Sequence, residues 1–191
     1  MTGQPAAAHP TDKPGDRTPA VALDRRRQWV AAAVRIVFGV IWGIDAWLKW
    51  QPGFRATFLP NMIATAAAEP HWLAPWFDFV LRLERPAPAM GAYLGAAVET
   101  VIAITLIVGV ARRAVYVAGA IYSLLVWTTA GGFGAPYPPG ATDIGPSIIY
   151  AVVFCALLVM LEHGLGNRFA LDDTLVRRLP WWSRLAGPPL R

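Results

Sequence analysis

Residues 90–111 read MGAYLGAAVETVIAITLIVGVA, and Glu99 is the only charge in that run. About 20 consecutive apolar residues are the length of a helix that crosses a bilayer. A carboxylate near the middle of such a helix is costly, so it is expected to face protein or water and to have a partner. The stretch therefore predicts an integral membrane protein with a polar feature in its interior.

Three more apolar runs lie around it, at 29–50, 114–130 and 144–161, beside the central one at 90–110. The predicted fold is all-α: a four-helix transmembrane bundle with a long outer loop, 51–89, containing an interfacial helix. Composition agrees. The chain has 191 residues, 55% hydrophobic and 15% charged, where a soluble domain carries about 25% charge. The one cysteine, Cys155, excludes an intrachain disulfide and a CxxC redox pair. The net charge of +5 sits in segments flanking the apolar runs, which fits a membrane surface and argues against nucleic acid.

The expected organisation has three parts. Residues 1–27, rich in Pro, Ala, Gly, Asp and Thr, read as a disordered cytoplasmic tail. They hold no apolar core of signal-peptide length, so insertion is expected to rely on the first span. Residues 28–170 are the membrane domain, and 171–191 are a basic amphipathic cytoplasmic tail in which Trp181 and Trp182 accompany arginines. With four spans, twelve Lys and Arg fall on the side of the termini and four (Lys49, Arg55, Arg82, Arg85) on the other. That asymmetry predicts a multi-pass protein of the cell membrane with both termini cytoplasmic. In the outer loop, Trp72, Trp76, Phe77, Val80 and Leu83 are expected to form one apolar face of the interfacial helix, lying over the mouth of the bundle.

Few residues in the spans carry chemistry. At about 100° per residue, taking Arg35 as zero, Trp42 falls near −20°, Lys49 near −40° and Asp45 near −80°. These side chains share a face of the first span, and Asp45 and Lys49 are an i,i+4 pair. Around Glu99, the small residues Gly95, Ala96 and Ala103 invite close approach by a partner helix. With each span centred on its own midpoint, Arg35 lies inward of the midplane and Asp45 about 9 Å outward of it by rise arithmetic, so Arg35 is the expected partner of Glu99 and Lys49 a less direct one. Two readings stand: an ion pair that holds the helices in register, or a catalytic, proton-handling carboxylate beside a lipid-phase substrate. Asp143 and Thr142 precede Pro146 as a helix start, with either as cap. His9, His71 and His163 share no ligand spacing, so no metal or haem site is expected. Tyr116, Tyr122, Trp127, Tyr137 and Tyr150 could line a flat aromatic site, and read by default as interface belt residues.

Four separated segments agree in order with a known family. RIVFGVIWGIDAWLKW in the first span, Glu99 followed by GVARR, the loop GGFGAPYPPGATDIGPSIIY and the exit HGLGNRFALDD together resemble the DoxX/DoxD family. The similarity spans roughly residues 29–175 and is closest to the DoxD-like branch, named for the small subunit of a thiosulfate:quinone oxidoreductase. The resemblance implies a four-helix membrane domain associated with a redox complex, a partner subunit, and a quinone as a non-covalent cofactor. The family has no secure catalytic motif to transfer.

The leading functional expectation is therefore a membrane subunit of an oxidoreductase complex that handles a quinone. Its site is bounded by Trp42, Asp45, Lys49, Glu99 and Asp143. The alternatives are a non-catalytic anchor for a soluble redox enzyme and a small-solute carrier. The carrier is disfavoured because the spans lack paired broken helices.

Overall fold

In the computed structural model, residues 17–134, 143–165 and 169–187 are described, and these are all-helical. Eight helices run in order: α1 (Arg17–Lys49), α2 (Pro52–Ala68), α3 (Ala74–Glu84), α4 (Pro88–Val108), α5 (Arg112–Thr128), α6 (Pro146–Glu162), α7 (Asp172–Arg178) and α8 (Ser183–Ala186). Two of them, α1 over Arg25–Lys49 and α4, are long and apolar enough to cross a membrane.

α1 and α4 pack antiparallel, and glycines set their register. At Gly39 a methyl group would meet Ile107 and Leu106 at 2.9 Å, and at Gly43 it would touch Ala103 at 3.9 Å. Small residues let the backbones approach where there is no hydrophobic drive between lipid-immersed helices. The same register brings the end of α1 level with the middle of α4, where the Trp50 Nε1–H donates to Thr100 Oγ1 at 3.0 Å. α5 and α6 form the second pair. Gly119 lies flat against the Phe154 ring, so any larger residue there overlaps it.

Aromatic rings fill the space between the two pairs. The Trp42 ring meets Phe38, Tyr122, Tyr150 and Phe154 at centroid distances of 6.2, 6.0, 5.7 and 5.5 Å. Offset and edge-on pairs at such spacings are the preferred aromatic contacts. The outward faces remain apolar. Val30, Val34, Val37, Ile41 and Ile44 form an exposed stripe on α1, and Val117, Ile121 and Leu125 form one on α5.

Several expectations change at this point. The outer segment 51–68, read as loop, is helix α2. It starts with Pro at its first turn, where the missing N–H costs nothing. α2 and α3 fold as a hairpin that packs Met62 against Val80 and Leu81. α3 lies in the stretch expected to form an interfacial helix, and Phe77 and Val80 on it are buried. Trp72 and Leu83 are exposed instead, and Leu81 is buried. Trp72 precedes α3 in a 3-10 turn (His71–Leu73), so extrapolating the helical angle to it fails.

α1 begins at Arg17, inside the expected disordered tail; residues 1–16 lie outside the described residues. The C-terminal segment is docked through Asp172. Asp172 is fully buried, and its carboxylate accepts from Ala111 N–H at 2.7 Å, Arg112 N–H at 3.1 Å, Arg112 Nε at 2.9 Å and Trp182 Nε1 at 2.7 Å. Asp173 also pairs with Arg112, and burial holds its carboxyl above the ordinary range. Thr142, Tyr137, Gly166 and Arg168 lie outside the described residues.

Candidate functional site: a lidded cavity with a lysine–glutamate floor

Three helices meet at the end of the bundle under the α2–α3 hairpin. Lys49, in the last turn of α1, reaches across to Glu99 in the middle of α4, with Nζ 2.5 Å from Oε1 and 2.6 Å from Oε2. From α5, the Tyr122 hydroxyl donates to the same Oε1 at 3.2 Å. Glu99 is 2% exposed. Such an acid is tolerated in an apolar interior when a cation and a second donor satisfy it.

Above this trio is a cavity of about 550 Å³. Lys49 and Tyr122 are on its wall, while Glu99 stands behind them. The rest is largely apolar: Phe58, Met62 and Val80 from the hairpin, Leu94 and Val98 from α4, Leu125 from α5. Its size and its few convergent polar groups are those of a small-molecule site. Trp76 Nε1 donates to the Thr128 carbonyl at 2.7 Å and ties α3 over the opening.

Glu84 enters the lining from the end of α3. Its carboxylate lies over Gly91, where a side chain would collide with it. Burial raises its pKa above the ordinary carboxyl range. Glu69, at the end of α2, is raised for the same reason, and both of its oxygens lack a hydrogen-bond partner among the described residues.

The expected site residues divide. Glu99 and Lys49 are brought together at the cavity. Trp42 sits in the aromatic core, 2% exposed, and its Nε1 has no hydrogen-bond partner among the described residues. Asp45 is half-buried and is not part of the cavity wall. Asp143 is exposed and distant in role: its Oδ1 accepts the Gly145 N–H at 2.7 Å in the turn before α6. Gly145, not Asp143, occupies the cap position, with Pro146 in the first turn.

The expected Arg35–Glu99 ion pair does not form. Arg35 is fully buried, but NH1 donates to the Leu106 carbonyl and NH2 to the Phe169 carbonyl, both at 3.0 Å. Leu106 is seven residues beyond Glu99, about 10 Å further along α4. Centring each span on its own midpoint placed Arg35 too near Glu99. The glycine contacts shift α1 so that Lys49 meets the acid.

Tyr122 was legible as a belt aromatic or as one wall of a flat aromatic site. Its position in the chain gives no sign of a partner on another helix. Glu84 carried no signal either, because its role depends on how the hairpin folds over α4. Comparison with protein-family models, curated proteins and solved structures finds no match to this chain.

Proposed function

We propose that the chain is a four-span membrane subunit of an oxidoreductase complex, resembling the DoxX/DoxD family, with both termini cytoplasmic. In this reading the Lys49–Tyr122 cavity receives the head of a lipid-soluble quinone. One observation carries it: a cavity of about 550 Å³ with apolar walls and two polar side chains, Lys49 and Tyr122, held on a buried acid. α5 and α6 supply the third and fourth spans. Each has 17 residues, about 26 Å of helix against a hydrocarbon core near 30 Å. Their exposed apolar faces support that assignment, because a protein in water seldom leaves so much continuous apolar surface uncovered.

The residues fit a carbonyl-bearing ring. The Lys49 ammonium, with a proton beyond the two it places on Glu99, donates to an oxygen of the ligand; the Tyr122 oxygen, whose proton is on Glu99, accepts from a hydroxyl of the reduced ring, and the apolar walls pack on the ring. A quinone, when bound, takes up two electrons and two protons. The electrons belong to a partner subunit of the complex. This chain contributes the proton side through Lys49, with Glu99 fixing both the ammonium and the Tyr122 hydroxyl. Glu99 is thus a positioning residue that acts through its neighbours.

Chromatography of an organic extract of the purified protein tests the reading. About one quinone per chain is expected, with a loss of at least tenfold in Lys49→Met. A quinone-free extract, together with no saturable binding of an added short-chain benzoquinone, rejects the reading.

A further inference from the structure

The structure points to a route into this cavity. We propose that the cavity opens sideways, between α4 and α5, into the acyl-chain layer. Its occupant is a lipid-phase molecule whose apolar tail leaves across Leu94 and Leu125. This rests on the membrane reading above and is independent of the quinone reading.

The large apolar side chains of the lining that remain exposed are Phe79, Leu83, Leu94 and Leu125, at 54, 64, 63 and 50%. They mark the opening. Leu94 continues the exposed apolar face of α4 that includes Met90 and Val101, and Leu125 continues the α5 stripe of Val117 and Ile121. The rim and the lipid-facing surface of the two helices are therefore one surface. An opening onto water would be rimmed by polar groups, because exposed clusters of large apolar side chains are costly there. Asn61 on α2 is the one exposed polar residue of the lining, on the hairpin side.

The gap itself comes from glycine. α4 presents Gly91 and Gly95 to the cavity. At Gly95 an added methyl group would meet only the Tyr122 hydroxyl, at 3.5 Å. With no side chain there, α4 leaves open space in front of the Tyr122 hydroxyl, and in this inference that space is the way out past Leu94 and Leu125. The polar end of an occupant reaches Lys49 and Tyr122, while its tail stays in hydrocarbon. That arrangement suits an amphiphile with one polar head and an apolar tail.

The full chain, reconstituted in phosphatidylcholine vesicles doped with a phosphatidylcholine bearing a mid-chain diazirine, provides the test. Photolysis and peptide mapping read which residues the acyl chains touch. Adducts are expected on Met62, Val80 and Val98 inside the cavity at yields within about tenfold of those on Val101 outside it. Adducts confined to the outer faces overturn the inference. Gly95→Leu is expected to cut the interior adducts by about tenfold while Val101 labelling stays unchanged and reports an intact fold. Undiminished interior labelling in that variant overturns the α4–α5 route. Excess decyl-substituted benzoquinone, added before photolysis, separates the two readings. Loss of interior adducts supports quinone occupancy; no loss rejects the quinone while the lateral opening stands.

Discussion

Lys49 Nζ stands 2.5 Å from Glu99 Oε1 and joins the last turn of α1 to the middle of α4. The Glu99 side chain is almost wholly buried and that of Lys49 is 23% exposed, so the pair faces the cavity through the lysine. Removing one partner of a buried pair leaves an uncompensated charge, which costs about 3–5 kcal/mol.

Glu99→Gln is therefore expected to lower stability by about 3 kcal/mol, and Lys49→Met/Glu99→Leu to recover most of that loss. Thermal unfolding of the two variants and the parent chain in detergent measures it. If Glu99 positions donors for the ligand, turnover of the assembled complex falls per folded molecule in both variants. Unchanged turnover in Glu99→Gln leaves the pair as a brace alone.

Gly119 faces the Phe154 ring at a distance that admits no side chain. Gly119→Leu is expected to drive α5 from α6 and cost about 3 kcal/mol or more, by overpacking a filled interface. Gly53, where a methyl group would meet nothing, is the control. Similar melting of Gly119→Leu and the parent chain contradicts the packing described for the second helix pair.

The buried Asp172 carboxylate holds Ala111, Arg112 and Trp182 together. Asp172→Asn keeps the shape and removes the charge that neutralises buried Arg112. A loss of about 3–5 kcal/mol is expected. Limited proteolysis should then cut more readily around α7, which the same group ties to Ala111 and Arg112. Unaltered resistance to cleavage argues that the clasp is dispensable.

The hairpin carries a pH dependence. Burial raises the folded-state pKa of Glu84 and Glu69. A raised acid binds its proton more tightly in the folded than in the open state. Its contribution to hairpin docking is complete below the ordinary carboxyl value and is lost as pH rises through the raised one. Hydrogen exchange of α2 and α3 amides should therefore be slower at acidic than at alkaline pH, after correction for the intrinsic rate. Glu69→Gln/Glu84→Gln should flatten that difference. A pH-dependent difference that persists in the double variant assigns it to other groups.

Topology is tested with an engineered cysteine between residues 132 and 142 in a Cys155→Ser background. Labelling by an impermeant reagent from outside intact cells is expected. Labelling only after permeabilisation rejects the orientation drawn from the Lys and Arg distribution.

Helical class and the two long apolar helices were legible along the chain, since a run such as 90–110 is decided by local composition and length. Glu99 was legible as the odd residue of its run, because one charge among apolar neighbours needs no partner to be noticed. Its partner was not. Arg35 and Lys49 share one face of α1, and rise arithmetic alone chose the wrong one. The choice depends on how far α1 slides along α4, which Gly39 and Gly43 set through contacts with Leu106, Ile107 and Ala103. The same limit hid the cavity. The 51–68 segment showed no strong helical face, yet as α2 it closes over Glu84, Tyr122 and Lys49 once α3 folds back on it. Residue type and period determine which segments are helices and which charges are anomalous. Which side chains meet across helices was decided only by tertiary packing, because interhelical register rests on contacts between residues far apart in the chain.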